Sequence, residues 1–198
     1  FILSLVIIIL YLLSIFTNKI LLIYLGIIIY LFIFMEVIIN FNKFKFLTLF
    51  YVLLSFIFFI IASLNNFDLK LFNLMILTIA SFDIFSYIIG SIFGKIKILK
   101  YISPNKTLEG LLGGIFFSFF LALIFLIIIN IQISIYLLIL ISCFILSAFL
   151  GDIIVSYIKR KNLIKDSSNL IPGHGGFFDR FDSYILSIIP YCIYTSFF

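Results

Sequence analysis

The residues best suited to chemistry are concentrated in two loops of this 198-residue chain. The longer loop, residues 151–182, holds five of the 13 basic residues, four of the eight acidic residues and the only histidine. Residues 172–176 contain Pro172 and three glycines, so this run cannot form regular helix. The glycines also let the backbone approach a ligand closely. Carboxylates, a glycine-rich turn and clustered Lys and Arg handle nucleotide phosphates together with a divalent metal. This loop therefore predicts phosphate chemistry.

The acidic residues near the end of that loop have a spacing of interest. Asp179 and Asp182 are three positions apart, so on a helix they would share a face, with Arg180 on another face. Carboxylates of this kind hold Mg²⁺, and the metal and nearby cations offset charge on a transferring phosphoryl group. We therefore expect the acids to face a site and the bases to neutralise phosphate.

The second loop covers residues 90–110 and includes the sequence SPNKTLEG. Ser103 followed by Pro104 predicts an N-cap and the first residue of a helix. Lys106 would then lie in the first turn, which is a poor place for a cation unless an anion such as phosphate docks there. Spacing alone leaves two interpretations open, a phosphate site or a capped helix with a solvated lysine.

Other familiar sites are not indicated. His174 has no second histidine or suitable cysteine with which to form a zinc site, and its simplest role is a single hydrogen bond in the turn. Cys143 and Cys192 both fall in apolar surroundings and are predicted to be packing residues. No P-loop, Rossmann glycine motif or serine-hydrolase elbow is present, and no module typical of nucleic-acid binding is visible, so no nucleic-acid partner is expected.

The elements that must position these loops are membrane helices. Hydrophobic residues make up 65% of the chain and charged residues 11%, which excludes a water-facing globular surface and a disordered chain. Helices satisfy their own backbone hydrogen bonds in lipid, so we predict an all-α polytopic membrane protein with a single domain, 1–198. About seven apolar runs are long enough to be considered spans. They are residues 1–16, 20–39, 46–64, 69–90, 110–130, 131–157 and 182–198.

The basic residues predict one orientation. Eleven of the 13 lie in the loops after segments two, four and six, whereas Lys19 and Lys70 lie in the alternate loops. By the positive-inside rule the first set is cytoplasmic, which places the N-terminus in the cytoplasm and the C-terminus outside. Asp83 and Asp152 lie in otherwise apolar helices near this face, where ionisable groups usually serve a polar cavity or a partner.

These motifs resemble the signature of one family, the phosphatidate cytidylyltransferases (CDP-diacylglycerol synthases). The similarity is continuous over residues 156–182, from Ser156-Tyr157 to Phe181-Asp182. The stretch 103–110, the residues from Asp83 to Lys95 and the pair Gly151-Asp152 are similar to further elements of the same family. The resemblance covers about residues 80–198, the expected catalytic region, whereas residues 1–64 carry no motif.

The resemblance implies an integral membrane enzyme that joins CTP to phosphatidate, giving CDP-diacylglycerol and pyrophosphate, in a cytoplasmic or inner membrane with the active site facing the cytoplasm. It implies Mg²⁺ as a cofactor, associates a monovalent cation such as K⁺ with the site, and suggests a homodimer. Asp152 and Asp179 would be catalytic and bind the metal, and Asp83 and Asp182 would be supporting catalytic acids. The residues expected to bind substrate are Ser103, Lys106, Lys159, Arg160, Lys165, His174, Gly175, Gly176 and Arg180.

Three alternatives stay open on the sequence. The lipid substrate could be another lipid phosphate, because apolar side chains carry no code for lipid tails. A cation transporter or channel would explain Asp83 and Asp152 but not the basic glycine-containing loop. An inactive homologue is the third, because the family commonly has Glu at the position of Val155 and a basic residue at the position of Ser91.

Overall fold

The structure is a computed structural model that describes residues 19–65, 67–99, 101–168, 170 and 175–197. Helices dominate it, and one short antiparallel hairpin interrupts them. In chain order the elements are α1 (Lys19–Asn40), α2 (Lys45–Leu64), α3 (Leu69–Phe93), β1 (Lys97–Leu99), β2 (Ser103–Thr107), α4 (Leu108–Ile128), α5 (Ile135–Lys161), α6 (Phe177–Arg180) and α7 (Asp182–Phe197).

The predicted all-α membrane fold is confirmed. Five of the described helices, α1 to α5, are long and apolar enough to cross a membrane by length and composition. Helix α7, with 16 residues, corresponds to the last predicted segment and is shorter than the other five. The first predicted segment, 1–16, lies outside the described residues, so the count of about seven is an approximation.

Helix α7 lies at the centre of the helix packing. It contacts α5 and α2 extensively and α3 to a lesser extent, while α3 and α4 pack against each other along their length. Hydroxyls join the central helices: Ser147 and Ser187 are 3.1 Å apart between α5 and α7, and Ser55 of α2 donates to the Ile185 carbonyl. Small polar residues of this kind let membrane helices approach and bond without exposing polar groups to lipid.

The three basic loops meet at one end of the bundle. The backbone N–H groups of Asn42 and Lys43 donate to Oδ1 of Asn162 at 2.9 and 2.7 Å, which joins the α1–α2 loop to the end of α5. Arg160 Nε donates to the carbonyl of Ile102 in the hairpin loop at 3.3 Å. The separation of charge predicted from the sequence therefore corresponds to one end of the folded chain.

The hairpin corrects the prediction for residues 103–107. Ser103 does not cap a helix and Lys106 does not lie in a first helical turn, because Ser103–Thr107 is strand β2. Helix α4 begins four residues later than predicted: Thr107 is its N-cap and accepts the N–H of Gly110 at 3.2 Å. Thr is a good N-cap and Glu109 supplies an acid in the first turn, so the local signals at Thr107 prevail over those at Ser103.

The expectation that Asp179 and Asp182 share one helical face is also wrong. Helix α6 ends at Arg180 and α7 begins at Asp182, with Phe181 between them at φ −112° and ψ 11°. The two acids therefore belong to different helices.

Candidate active site

A polar cavity of about 290 Å³ opens at the end of the bundle where the basic loops meet. It brings together four carboxylates from four helices and one ammonium group from strand β2. Its lining residues are Phe82, Asp83, Ser86, Tyr87, Asn105, Lys106, Thr107, Leu111, Phe149, Asp152, Asp179, Asp182 and Ser183. All four predicted catalytic acids thus surround one space.

A glycine allows the two central helices to meet beside this cavity. A Cβ on Gly151 of α5 would lie 2.6 Å from the backbone carbonyl oxygen of Asp182, closer than real Cβ contacts. Only glycine allows the first turn of α7 to lie this close to α5. Asp152 and Asp182 therefore line the same wall of the cavity.

Lys106 provides the positive charge for the acids of this wall. Its Nζ lies 2.6 Å from Oδ2 of Asp152 and 4.9 Å from the centre of the Phe149 ring. Asp152 Oδ1 accepts a hydrogen bond from Ser156 at 3.0 Å. Asp83 and Asp182 are close enough to Asp152 for their charges to interact, with Lys106 acting on Asp83 and Lys159 on Asp182.

Asp179 accepts from more donors than Asp152 does. Its Oδ1 accepts from Lys159 Nζ at 2.7 Å, and its Oδ2 accepts from the backbone N–H and the hydroxyl of Ser167 and from the N–H of Gly176 at 2.7 to 3.0 Å. Burial alone would raise the pKa of Asp179. The Lys159 ammonium and the N–H donors outweigh it and hold the pKa below its usual range.

The donor set fits a Mg²⁺ ion bound partly by substrate. Four carboxylates line the cavity, and among the described residues two lysines, Lys106 and Lys159, form ion pairs with them, which leaves negative charge in excess. Within the same residues each Asp152 oxygen and Oδ1 of Asp179 accept from one donor and keep a lone pair, whereas Oδ2 of Asp179 accepts from three donors. In the part of the chain that the structure describes, no three acidic, His or Cys side chains form a metal cluster. Mg²⁺ typically takes one or two carboxylates and completes its shell with phosphate and water.

Comparison with known proteins identifies the family of the chain. The chain matches the model of the cytidylyltransferase family over residues 1–198. The chain belongs to this family. A phosphatidate cytidylyltransferase of Bacillus subtilis (strain 168) is 40% identical over 157 residues, covering 77% of this chain and 58% of that protein. One from Staphylococcus saprophyticus is 44% identical over 110 residues, covering 54% of this chain and 42% of that protein.

The resemblance described from the motifs is therefore confirmed. A phosphatidate cytidylyltransferase of Staphylococcus aureus (strain COL) is 41% identical over 110 residues, again 54% of this chain and 42% of that protein. The matched stretches span between two fifths and three fifths of these relatives' lengths.

Several other residues expected to bind substrate in this cytidylyltransferase-family chain do not line the polar cavity. Arg160 and Lys165 are exposed, and half-buried Ser103 pairs with Leu99 in the hairpin. Arg180 lines a separate, apolar cavity. Which of these residues bind substrate stays a prediction.

The signature glycines Gly175 and Gly176 are required by the backbone conformation and packing of the loop itself. Gly175 has φ +80°, a conformation that favours glycine. Gly176 is buried, its N–H already donates to Asp179, and a Cβ there would overlap Ser167 Oγ and the carboxylate of Glu36. His174 lies outside the described residues.

Of the two positions that depart from the family pattern, one is buried in the core and the other is exposed on a helix. Val155 is fully buried in the core between α5 and its neighbours, so an acid there would enter apolar packing. Ser91 is exposed and donates to the carbonyl of Ile88 within its own helix. Neither side chain lines the polar cavity.

One buried acid was not assigned a role from the sequence. Glu36 of α1 is 1% exposed, and its carboxylate accepts four hydrogen bonds from the signature loop and the start of α6. The available signal was an acid near the inner end of an apolar helix, the same signal that marked Asp83 and Asp152. Because residues 1–64 carry no family motif, the resemblance assigned no role to Glu36.

Proposed function

We propose that this chain catalyses the transfer of a cytidylyl group from CTP to phosphatidate, giving CDP-diacylglycerol and pyrophosphate. The observation that carries the proposal is the polar cavity, in which Asp152 pairs with Lys106 while Asp179 pairs with Lys159, at the basic end of a membrane bundle of this family. Relatives that bear the name phosphatidate cytidylyltransferase are 40% identical to the chain over 157 residues and 44% identical over 110 residues.

The reaction needs no covalent enzyme intermediate. An oxygen of the phosphatidate phosphate attacks the α-phosphorus of CTP, a new P–O bond forms, and the bond to the β-phosphate breaks as pyrophosphate leaves with its electron pair. Lys106 and Lys159 are placed to attract the triphosphate and to offset the charge that builds up on it. Asp83 and Asp182 lie beside them and keep the cavity anionic enough for a cation.

Asp152 and Asp179 are the proposed Mg²⁺ ligands, through the oxygens that keep a free lone pair. When bound, Mg²⁺ supplies a Lewis acid for the phosphates and the leaving pyrophosphate. Direct coordination through Oδ1 of Asp179 competes with Lys159, which would then be available to substrate phosphate. The proposed K⁺ has no residue assigned to it, and a homodimer stays a prediction.

The proposal places the cavity at the cytoplasmic face. The basic end of the bundle carries the site, and basic loops of membrane proteins are retained in the cytoplasm. CTP would arrive from the cytosol, and the phosphate of phosphatidate lies at the membrane surface. Both substrates therefore meet at the depth where the four acids lie.

The test is transfer of label from CTP to lipid. The chain is purified in detergent and incubated with radiolabelled CTP, phosphatidate and MgCl₂, and the lipid phase is counted. We expect label in the lipid phase that disappears with EDTA and in the Asp152→Asn variant. A folded, helical wild-type chain that transfers no label would contradict the proposal, and label transferred only with another lipid phosphate would change the substrate.

A further inference from the structure

The carboxylate of Glu36 has an unusually complete set of partners for a charge inside a membrane helix. Oε1 accepts from the Phe177 N–H at 2.7 Å and from the Ser168 hydroxyl at 2.8 Å. Oε2 accepts from the Phe178 N–H at 2.9 Å and from the Ser167 hydroxyl at 2.9 Å, whose one proton is shared with Oδ2 of Asp179. A buried carboxylate is tolerated only with such compensation, so these donors fix both the side chain and the backbone around it.

All four donors belong to the segment that carries Asp179. The N–H groups of Phe177 and Phe178 begin α6 and have no partner within that helix, so Glu36 satisfies them from α1. The rings of this segment add contacts in the same place: Phe177 stacks on Phe32 at 4.8 Å, and Phe178 packs edge-on against Phe41 at 5.6 Å.

Ser167 connects Glu36 with Asp179. Its hydroxyl lies 2.9 Å from Oε2 of Glu36 and 3.0 Å from Oδ2 of Asp179, and its N–H also donates to Asp179. Asn40, one turn after Glu36 on the same helix, donates to the Ser167 carbonyl at 2.8 Å. Gly176 leaves the space that this cluster needs, since a Cβ there would overlap both Ser167 and Glu36.

We propose that Glu36 is a positioning residue of the active site, which holds Ser167, Ser168 and the start of α6 against α1 so that Asp179 presents Oδ1 to the polar cavity. The inference rests on the proposed function for the meaning of that site. It gives the N-terminal helices, which carry no motif, a defined part in it: they supply the fixed surface on which the signature loop is ordered.

The test compares Glu36→Gln with Tyr30→Phe. Gln keeps the size of the side chain but turns an NH₂ group towards N–H and O–H donors, so part of the cluster is lost. Tyr30 is a matched control on the same helix: it is buried, and its hydroxyl bonds to Ser55 of α2, which is not a partner of Glu36. Both variants and wild type are assayed for label transfer and for backbone hydrogen exchange by mass spectrometry in detergent.

We expect Glu36→Gln to lower kcat about 10-fold or more, with the KM for CTP changed by less than about 3-fold, because displaced catalytic groups weaken transition-state contacts. Exchange should rise in peptides covering residues 167–178 and stay unchanged in α3 and α4. Tyr30→Phe should retain wild-type kcat and wild-type exchange in the loop. Wild-type kcat in Glu36→Gln, or exchange raised equally in every helix, would overturn the proposal.

A second variant, Asn40→Ala, tests the proposal even if Glu36→Gln does not fold. Asn40→Ala removes only the bond to the Ser167 carbonyl, and we expect a smaller kcat loss with raised exchange confined to the same loop. Unchanged exchange there would overturn the proposal. If wild type itself transfers no label, the proposed function fails, and exchange in these variants still decides whether Glu36 orders the loop.

Discussion

Asp152 and Asp179 line one cavity but are held by different partners. Asp152 has one serine and one lysine, whereas Asp179 has a lysine and three further donors that tie it to the loop. The first carboxylate is therefore the more adaptable ligand, and the second is preorganised. Preorganised charges lose no energy to reorientation during the reaction, which is the condition for strong electrostatic catalysis.

Replacing either acid by Asn should lower turnover on the order of 10²-fold or more, because the charge that holds the cation is lost while size is retained. If both serve one Mg²⁺ ion, the double variant should be little worse than the worse single variant. Turnover is measured by label transfer at several Mg²⁺ concentrations. Losses that multiply in the double variant would contradict a shared ion.

Asp68→Asn provides the control for this substitution. Asp68 caps α3 by accepting the N–H groups of Lys70 and Leu71, and Asn caps helices about as well as Asp. The residue does not line the polar cavity. Turnover and thermal stability of this variant should match those of wild type.

Lys106 is the cation closest to Asp152, and its charge can be removed with little change in shape. Lys106→Met keeps an unbranched side chain beside Phe149 but leaves Asp152 and Asp83 without this counter-charge. We expect kcat/KM for CTP to fall about 10-fold or more, the scale of one hydrogen bond to a charged group, with part of the loss recovered at high Mg²⁺. Steady-state kinetics over a Mg²⁺ series measures both effects.

Lys97→Met is the matched control for Lys106, because Lys97 is an exposed residue in the other strand of the hairpin. Its kinetics should equal those of wild type. If Lys106→Met also keeps wild-type kinetics, Lys106 only neutralises Asp152 and does not contribute to phosphate binding.

At the scale of elements, hydropathy predicts helices α1 to α5 well because a 20-residue apolar run in lipid has no other way to satisfy its backbone. The same reasoning fails where the chain leaves lipid. Ser103-Pro104 and Thr107 both carry capping signals. The hydrogen bonds from the N–H groups of Lys95 and Ile96 to Glu109 help place the start of α4 after Thr107. The break at Phe181 and the bonds of Glu36 depend on tertiary contacts that no local pattern records.

Contact between α5 and α7 at Gly151 determines how closely Asp152 and Asp182 approach. Gly151→Ala adds a methyl group against the backbone carbonyl of Asp182, which cannot rotate away. We expect a loss of about 1–3 kcal/mol in stability, typical of overpacking, seen as a lower apparent Tm in detergent. Activity should fall with it, because the two helices must separate at the cavity.

Gly113→Ala is the control for this change. Gly113 also lies within a helix, but its added Cβ meets the side chain of Ile89, not a backbone atom. A side chain can move, and Ala favours helix over Gly by about 1 kcal/mol. Its Tm should therefore change less than that of Gly151→Ala; equal changes in the two variants would contradict a special role for the α5–α7 contact.

At the scale of the whole molecule, charge and chemistry coincide at one end. The loops that carry most of the basic residues touch one another there, through Asn162 and Arg160, and the polar cavity opens beside them. The far end carries Asp68, whose carbonyl accepts the hydroxyl of Tyr191. The orientation of the bundle in the membrane therefore determines the side on which the polar cavity opens.

Cysteine labelling tests that orientation directly. In a background with Cys143 and Cys192 replaced by Ala, single cysteines are introduced at Lys97, at Lys165 and at Gln132, all exposed loop or hairpin positions. Because 11 of the 13 basic residues lie at the end that carries Lys97 and Lys165, we expect that end to be cytoplasmic. A membrane-impermeant maleimide should label Gln132→Cys in intact spheroplasts and should label the other two only after permeabilisation. Labelling of Lys165→Cys in intact spheroplasts would place the polar cavity on the outer face, out of reach of cytosolic CTP, and would contradict the proposed orientation even if the detergent assay showed transfer.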